Sequence, residues 1–350
     1  MIKVSNLKKS YGSFRALHGI SFTVERGHIY GLLGPNGAGK STTMNIITGT
    51  LAASGGSVTV NGHDIFREPS EAKRCIGYLP EHPPVYPDMT VAEYLDFVGR
   101  AKGLRADELY RGIDSVIGQT GLGDVYNRLI KNLSKGYRQR VGIAQAMLGD
   151  PDIIILDEPT VGLDPIQIIE IRELIRSLSH SHTVILSSHI LAEISAVCDR
   201  IMIISNGRLL ANDTIDGLLD TYASTNSLEV LCRCSAERAR TTLSAVKGTS
   251  ALEISDTEDA GVCRAVLYYD KEKDTAVREG AWKTLVASGI TVLGIIPRKM
   301  TLEDVFISLT EGECAPECED NDDLAGDTQA DNAEDGGEDD GDGGYTPLFS

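Results

Sequence analysis

The residues with the clearest chemical potential form one glycine-rich stretch near the N-terminus. Residues 34–42 read GPNGAGKST and fit the Walker A pattern, Gly-x-x-x-x-Gly-Lys-Ser/Thr. Glycines let backbone N–H groups point into one concavity, where they can hold a chain of phosphates. Lys40 is placed to reach the β- and γ-phosphates, and Ser41 to bind Mg²⁺. The predicted phosphate-binding residues are Gly34, Pro35, Asn36, Gly37, Ala38, Gly39, Lys40, Ser41 and Thr42.

The flanking sequence supplies the elements that such a loop needs. Residues 29–33 are an apolar run that predicts a buried strand, and residues 42–48 predict a helix, with Met44 and Ile47 three apart. The N-terminus of that helix would add a partial positive charge beside the loop. Because strand, loop and helix follow in this order, a chance glycine-rich turn is the weaker interpretation.

A pair of acidic residues follows a second apolar run. Residues 153–156 read IIIL, which predicts a strand buried on both faces, and Asp157 and Glu158 come directly after it. An aspartate at this position can hold Mg²⁺, directly or through water, and Glu158 can act as general base toward an attacking water. An Asp-Glu pair can also simply end a strand, but the phosphate loop upstream favours the catalytic interpretation.

Two further sites depend on what lies near them. His189 follows the next predicted strand, and parallel neighbouring strands would bring it to the same sheet edge as Glu158. There it could contact a γ-phosphate and hold the water, although a lone histidine at a strand end is more often structural.

Residues 133–140, LSKGYRQR, open a helix that Ser134 can cap and where Gly136 permits close backbone approach. This helix end predicts a second anion site, which need not serve the same nucleotide within one chain.

The remaining N-terminal sequence predicts a doubly wound α/β core with a small antiparallel layer, because strands alternate with helices. Tyr11, in the first predicted turn, could stack on a flat base or be an ordinary half-exposed aromatic. Strands are predicted at residues 2–7, 16–24, 57–60, 76–80, 183–186 and, as the last of the core, 201–204. Helices are predicted at residues 90–102, within 106–148, and at 166–178.

After about residue 220 the predicted order becomes strand, helix, strand, strand, helix, strand. This order indicates a small α+β ferredoxin-like domain. Its strands are predicted at residues 228–234, 251–255, 262–269 and 290–296, its helices at 236–246 and 275–288, and a closing helix at 301–309. The predicted domains are residues 1–218, residues 219–310 and a disordered acidic tail at residues 311–350.

The negative charge of the chain is concentrated in that tail. The 350 residues include 33 Lys and Arg against 51 Asp and Glu, a net charge of −18. Residues 311–350 hold fifteen acidic residues and no Lys or Arg, so the body is nearly neutral and offers no basic stripe for nucleic acid. No apolar run approaches the roughly 18 residues that span a bilayer, and the N-terminus lacks an apolar signal segment. We therefore expect a soluble, cytosolic chain whose membrane role would need a partner.

The seven cysteines are an odd number with few close pairs. Cys232 and Cys234 alternate in a predicted strand, which is typical of buried thiols. Cys314 and Cys318 lie in the acidic tail, where no His or Cys pair with zinc-type spacing follows them. A metal site in the tail is therefore the weaker interpretation.

Together these motifs resemble the nucleotide-binding subunit of an ATP-binding cassette (ABC) transporter over about residues 1–218. They stand in the family's order. The matches are the adenine-stacking Tyr11, Walker A at residues 34–42, the Leu-Ser-Gly-Gly-Gln signature at 133–137, Walker B at 153–158, the D-loop at 162–164 and the switch histidine His189.

The resemblance implies a P-loop ABC cassette, with a parallel core sheet, an antiparallel β layer and a helical subdomain, that hydrolyses ATP with Mg²⁺. The implied catalytic residues are Glu158, His189 and Lys40. The implied Mg²⁺ ligands are Ser41, Asp157 and Glu81. The residues implied to bind ATP are Tyr11, the loop 34–42, Ser134 and Gly136.

The resemblance also implies two kinds of protein partner. ABC cassettes pair head to tail, so that Walker A of one subunit and the signature of the other enclose each ATP. One chain holds one of each, so a second cassette is required, and a homodimer is the simplest form. The other implied partner is an integral membrane permease, which would hold the chain at the inner face of the cell membrane.

The sequence departs from the family pattern in two places. Glu81 occupies the Q-loop position that normally holds Gln, and Lys135 and Tyr137 replace the first Gly and the Gln of the signature. Ser134 and Gly136, which meet the phosphate in the family, are kept. We therefore expect ATPase activity with altered coupling. With its extra domain and closing helix, the chain looks like the branch that serves ABC-2 type exporters of the drug, polysaccharide or gliding-motility kind.

The predicted function is therefore an ATPase subunit that drives a separate permease, and two alternatives stay open. A regulatory ATP-binding module with weak turnover is suggested by Glu81 and the altered signature, although Glu158 and His189 argue against it. A non-transport ABC protein acting on ribosomes or DNA is the other. Such proteins usually carry two cassettes in one chain or long coiled coils, and this chain has neither.

Overall fold

The computed structural model describes residues 1–222, 225–257, 259, 261–298 and 300–311, all within one compact unit, Met1–Gly312. Apart from Glu311, the acidic tail lies outside the described residues, and so do Cys314 and Cys318. Among the helices of the described ranges, none combines the length and apolar character needed to cross a membrane.

Strands and helices alternate along the N-terminal two thirds of the chain, as expected. The strands are β1 (Ile2–Tyr11), β2 (Phe14–Val24), β3 (Ile29–Leu33), β4 (Gly55–Val60), β5 (His63–Asp64), β6 (Ile76–Leu79), β7 (Ile153–Leu156), β8 (Thr183–Ser188), β9 (Arg200–Ser205) and β10 (Arg208–Thr214). The helices are α1 (Lys40–Ile47), α2 (Pro69–Arg74), α3 (Val91–Ala101), α4 (Ala106–Thr120), α5 (Lys135–Met147), α6 (Pro165–Leu178), α7 (Leu191–Val197) and α8 (Ile215–Tyr222).

The main sheet has the strand order β10-β9-β3-β8-β7-β6, and its strands from β9 to β6 are parallel. Every residue of β3, β7 and β8 is buried, which explains their continuous apolar runs. The prediction that residues 201–204 form the last core strand was wrong. Strand β10 follows an Asn206-Gly207 turn and adds an antiparallel edge, which the sequence did not reveal because its residues are largely half-exposed and not a continuous apolar run.

The two faces of the main sheet are covered by different layers. On one face lie α1 and the predicted antiparallel sheet, in the order β2-β1-β4-β5, and Tyr30 and Ile155 of the main sheet pack into this core. On the other face α3, α4 and α5 pack against Leu33 and Leu156. The predicted capping box is present at the start of α3, where Thr90 accepts a hydrogen bond from the Glu93 N–H.

The C-terminal part follows the predicted order of elements. It contains β11 (Thr225–Arg233), α9 (Ala236–Leu243), β12 (Thr249–Asp256), β13 (Cys263–Asp270), α10 (Asp274–Ala287), β14 (Thr291–Arg298) and α11 (Leu302–Glu311). The strands form an antiparallel sheet in the order β12-β13-β11-β14. Leu228 and Leu267 of this sheet share a separate core with Leu243 and Leu285 of the two helices. We call residues 225–298 the C-terminal α+β unit.

Helix α11 does not belong to that separate core. Leu302 is buried in the same core as Tyr94 and Leu109, and Phe306 and Leu309 pack against it. Helix α11 also contacts α8, so the chain leaves the N-terminal core through α8 and returns to it through α11. The domain limits at residues 218 and 310 stay predictions. The contact of α11 with the N-terminal core was not predicted from the sequence.

Candidate functional site

The glycine-rich loop connects β3 to α1 in a tight path against β9. A Cβ atom at Gly34 would lie 2.2 Å from the Ile204 carbonyl oxygen, so only glycine fits there. Gly39 has a φ of 104°, a conformation that glycine adopts freely. Helix α1 begins at Lys40, two residues earlier than predicted, which places Ser41 in its first turn. Free N–H groups of a first helical turn favour an anion at the loop.

Lys40 is buried within the loop and connects it to the end of β7. Its ammonium group donates hydrogen bonds to the carbonyl oxygens of Gly34, at 2.8 Å, and Pro35, at 3.2 Å. The same nitrogen lies 3.6 Å from Oε1 of Glu158, and both side chains are less than a tenth exposed. The lysine charge is therefore held at the centre of the site.

Asp157 lies at the carboxyl end of β7, where two hydroxyl groups meet its carboxylate. Ser187 Oγ donates to Asp157 Oδ1 at 2.5 Å, and Ser41 Oγ lies 3.4 Å from the same oxygen. Burial, and after it the Asp157 charge, raises the pKa of the Tyr78 hydroxyl, which therefore stays protonated and donates to Asn45. No sequence pattern marks Ser187, because its partners lie at the end of another strand.

Glu158 and His189 meet at the same sheet edge. Glu158 Oε2 lies 3.0 Å from His189 Nδ1, and the Glu158 N–H donates to Ser187 Oγ at 2.9 Å. Glu158 has a φ of 48°, a left-handed conformation that costs a non-glycine residue about 1–3 kcal/mol and is concentrated at functional sites. Strands β7 and β8 are parallel neighbours, so the structure brings these two residues together as the sequence indicated.

Lys40, Ser41, Glu158 and His189 line one open cleft of about 520 Å³. Glu81, which follows β6, and the exposed ring of Tyr11 also line it. Phe14 lies there as well, 66% exposed and paired across the hairpin with Tyr11. Two exposed aromatic rings at one cleft can hold a flat base by stacking. Sequence reasoning missed Phe14, although an aromatic three residues after Tyr11 across a glycine turn was a usable signal.

Ser134 and Gly136 line a different cleft of about 400 Å³, together with residues of α6. Ser134 caps α5 and accepts a hydrogen bond from the Tyr137 N–H at 3.3 Å. A Cβ atom at Gly136 would lie 2.7 Å from the end of the Gln167 side chain, so α6 packs closely against this helix end. The structure therefore does not bring this helix end to the phosphate loop of the same chain.

Lys135, one of the two departures in the signature, lies against the turn at Gly162. A Cβ atom at Gly162 would lie 2.2 Å from the Lys135 amine, and Gly162 has a φ of 68°. The lysine side chain thus connects the start of α5 with the D-loop of its own chain. The other departure, Tyr137, lies in the first turn of α5 and is 37% exposed.

A phosphate loop, two carboxylates and a histidine at one end of a parallel sheet define a P-loop NTPase, and the separate capped helix end defines the ABC cassette type. Comparisons with known proteins agree. Residues 17–161 match the family described as "ABC transporter". The chain is 39% identical over 215 residues to the linearmycin resistance ATP-binding protein LnrL of Bacillus subtilis, covering 61% of this chain and 69% of that protein.

Two further relatives extend the comparison. The bacitracin transport ATP-binding protein BcrA of Bacillus licheniformis is 34% identical over 316 residues, covering 89% of this chain and 98% of that protein. A solved dimer of the ATP-binding cassette MJ0796 in a post-hydrolysis state, bound to ADP and Pi, is 25% identical with a TM-score of 0.56, covering 61% and 98%. The chain therefore belongs to the ABC transporter family. It is the ATP-binding, ATP-hydrolysing subunit of such a transporter and powers a membrane permease.

Proposed function

We propose that ATP binds in the cleft between the phosphate loop and the end of β7, and that Glu158 activates water there. The observation that carries this proposal is the position of Glu158, held between Lys40 and His189 at 3.6 and 3.0 Å. Glu158 accepts a proton as the water oxygen attacks the γ-phosphorus, and ADP leaves with the electrons of the broken P–O bond. Lys40 and the N–H groups of α1 stabilise the negative charge of the transferred phosphoryl group.

Two side-chain oxygens at the phosphate loop and the end of β7 fit Mg²⁺. Ser41 Oγ and Asp157 Oδ1 lie 3.4 Å apart, and neighbouring ligands of an octahedral Mg²⁺ lie about 3 Å apart. We propose that these two side chains hold the ion, while Glu81 lines the cleft as a further carboxylate. Mg²⁺ would supply charge neutralisation at the β- and γ-phosphates. Ser187 keeps the Asp157 carboxylate in place.

A second copy of this chain is the proposed cassette partner. Ser134 and Gly136 line a cleft apart from the phosphate loop, so they cannot reach ATP bound to their own chain without rearrangement. In a head-to-tail pair each chain would present this helix end to the ATP of the other. The dimeric cassette bound to ADP and Pi supports such a pair. Tyr11 and Phe14 would hold the adenine by stacking.

The permease partner is proposed to be an exporter of an antibiotic-type molecule. Two of the relatives carry the words linearmycin resistance and bacitracin transport in their names. The bacitracin transport protein aligns over 98% of its own length and 89% of this chain, so the match extends into the C-terminal part. Binding to such a permease would place this chain at the cytoplasmic face of the membrane. Nothing in its nearly neutral body favours nucleic acid as a partner.

ATP turnover by the purified chain, alone and reconstituted with its permease in vesicles, tests the proposal. We expect hydrolysis in both, and faster hydrolysis with the permease. Glu158→Gln should reduce turnover by at least about 100-fold, because general bases contribute about 10²- to 10⁴-fold. It should also leave an ATP-dependent dimer visible by size-exclusion chromatography.

The matched control is Glu173→Gln, which changes an exposed acid of α6 outside the cleft and should keep wild-type turnover. Wild-type turnover in Glu158→Gln would contradict its role as base. A chain that hydrolyses no ATP with or without the permease would instead favour a regulatory module.

A further inference from the structure

Three cysteines of the C-terminal α+β unit form a compact group that the ATPase site does not use. The Sγ atom of Cys232 lies 3.4 Å from that of Cys263 and 3.7 Å from that of Cys234. The Cys234 and Cys263 sulfurs are also 3.7 Å apart. Within the described residues these thiols are free, so the group is a triangle of sulfur atoms and not a bonded pair.

The backbone of two strands fixes this triangle. Cys232 of β11 is paired directly with Cys263 of β13, so their side chains lie on the same face of the sheet. Cys234 comes two residues after Cys232 and therefore returns to that face, just beyond the end of β11. Cys232 and Cys263 are completely buried, whereas Cys234 is half-buried and gives the group a side open to solvent.

The size of the triangle matches three corners of a tetrahedral thiolate site. Sulfur atoms bound to Zn²⁺ at about 2.3 Å in a tetrahedron lie about 3.8 Å apart, whereas a flat three-sulfur site needs about 4.0 Å. The observed sides of 3.4, 3.7 and 3.7 Å are closer to the tetrahedral value. The fourth corner would face the half-exposed side at Cys234, where water or a carboxylate can reach it.

We propose that Cys232, Cys234 and Cys263 bind one thiophilic d¹⁰ metal ion, with Zn²⁺ as the ion that fits best. Each thiol releases its proton to water on binding, so three thiolates and Zn²⁺ give a net charge of −1. Asp256 lies next to Cys263 in the same row across the sheet and is the nearest paired carboxylate of β12. The ion would join β11 to β13 at the end of the sheet where α9 begins, and so stabilise the C-terminal α+β unit.

A titration with Cd²⁺ tests this site, because cadmium thiolates have an ultraviolet charge-transfer absorption that grows with the number of bound sulfurs. The protein is the full chain with Cys314→Ser and Cys318→Ser, treated with chelator and kept reduced by a phosphine. We expect one saturable equivalent of Cd²⁺ with the absorption of three thiolates. Zn²⁺ should displace it and raise the thermal unfolding midpoint.

The decisive variant is Cys234→Ser, because this half-buried residue can change without opening the core. It should lose about a third of the absorption and bind Cd²⁺ at least about 100-fold more weakly, since even changes to groups around metal ligands cost about 10- to 100-fold. Cys75→Ser is the matched control, another half-buried cysteine far along the chain, and should change neither quantity.

Three outcomes would overturn the proposal. One is the absence of saturable Cd²⁺ binding in the reduced protein. Another is full absorption in Cys234→Ser, or an equal loss in Cys75→Ser. The third is a Cys232–Cys263 disulfide in the protein as isolated, found by mass spectrometry, together with no metal uptake after reduction. None of these results depends on ATP turnover, so they test the metal site independently of the proposed function.

Discussion

Ser187 contacts both carboxylate residues of the proposed catalytic site although it has no chemistry of its own there. Its hydroxyl donates to the Asp157 carboxylate and accepts from the Glu158 N–H. Ser187 is completely buried, so removal of its hydroxyl would take the acceptor from the Glu158 N–H and leave the Asp157 carboxylate with the longer contact to Ser41 Oγ, at 3.4 Å. We regard it as a positioning residue for the metal ligand and the general base.

Ser187→Ala should therefore lower the turnover number by about 10- to 100-fold, since small displacements of reacting groups carry costs of that size. ATP affinity should change little, because the phosphate loop is untouched. Steady-state kinetics separate the two effects through kcat and KM.

Ser188→Ala is the control for this prediction. Ser188 is equally buried, and its hydroxyl donates to Glu193, away from the two carboxylate residues that Ser187 contacts. Both variants should lose stability, by about 1–3 kcal/mol each, but only Ser187→Ala should lose turnover. Equal turnover in the two variants would show that Ser187 stabilises the fold without positioning the catalytic groups.

At the residue scale, candidate residues can be predicted from the sequence where one local pattern points to the chemistry. Lys40, Ser41 and Glu158 were expected at the site because the loop pattern and the buried strand identify them. Ser187 and Cys263 were missed because each acquires its meaning from a partner on another strand. Strand pairing joins residues that are about 30 positions apart, and a single sequence does not show which ones meet.

At the scale of elements, Gly142 determines how closely α5 approaches the end of β6. A Cβ atom at this position would lie 2.6 Å from Leu79 Cδ1 and 3.1 Å from Pro83 Cβ. Leu79 is completely buried, and Pro83 belongs to the segment that carries Glu81 into the cleft. A side chain at position 142 would therefore press on the connection between the helical layer and the cleft.

Gly142→Ala should lower the free energy of unfolding by about 1–3 kcal/mol, the usual cost of overpacking, although alanine favours helices. Gly118→Ala is the matched control in α4, where none of the described heavy atoms lies within 4 Å of the added carbon. There the same change should raise stability by about 0.5–1 kcal/mol. Urea unfolding measures both, and two changes of the same sign would contradict the packing argument.

Most elements were predicted within a few residues because their apolar patterns are strong. The capping box before α3 and the buried runs of β3 and β7 are examples. The edge strand β10 was missed because an edge strand that is half-exposed carries no continuous apolar run. Helix α1 begins earlier than predicted because its first turn is part of the glycine-rich loop, whose residues carry no helical pattern.

For the whole molecule, the return of α11 predicts that the N-terminal core depends on the C-terminus. Truncation after residue 222 would remove α11 and expose the pocket that Leu302 fills. We expect the truncated chain to be less stable by about 1.5–3 kcal/mol for Leu302 alone, with more for the partly buried side chains beside it. Chemical denaturation followed by the fluorescence of bound nucleotide reports on this core.

Truncation after residue 311 is the corresponding control. It removes the acidic tail and keeps every described helix, so the unfolding midpoint and ATP affinity should match those of the full chain. If the chain ending at residue 222 were as stable as this control, the contact between α11 and the N-terminal core would contribute nothing.

The return of α11 also changes what kind of addition the C-terminal α+β unit is. Attached at one end it would be an appendage, able to swing away from its neighbour. It is instead an insertion, because the chain enters the unit after α8, and α11, the helix that follows the unit, contacts α8 again. A structural change inside the unit would therefore act on α8 and α11 together, and both helices pack on the ATPase core. A fluorescent label fused after residue 311 would report on the ATPase core rather than on the C-terminal α+β unit.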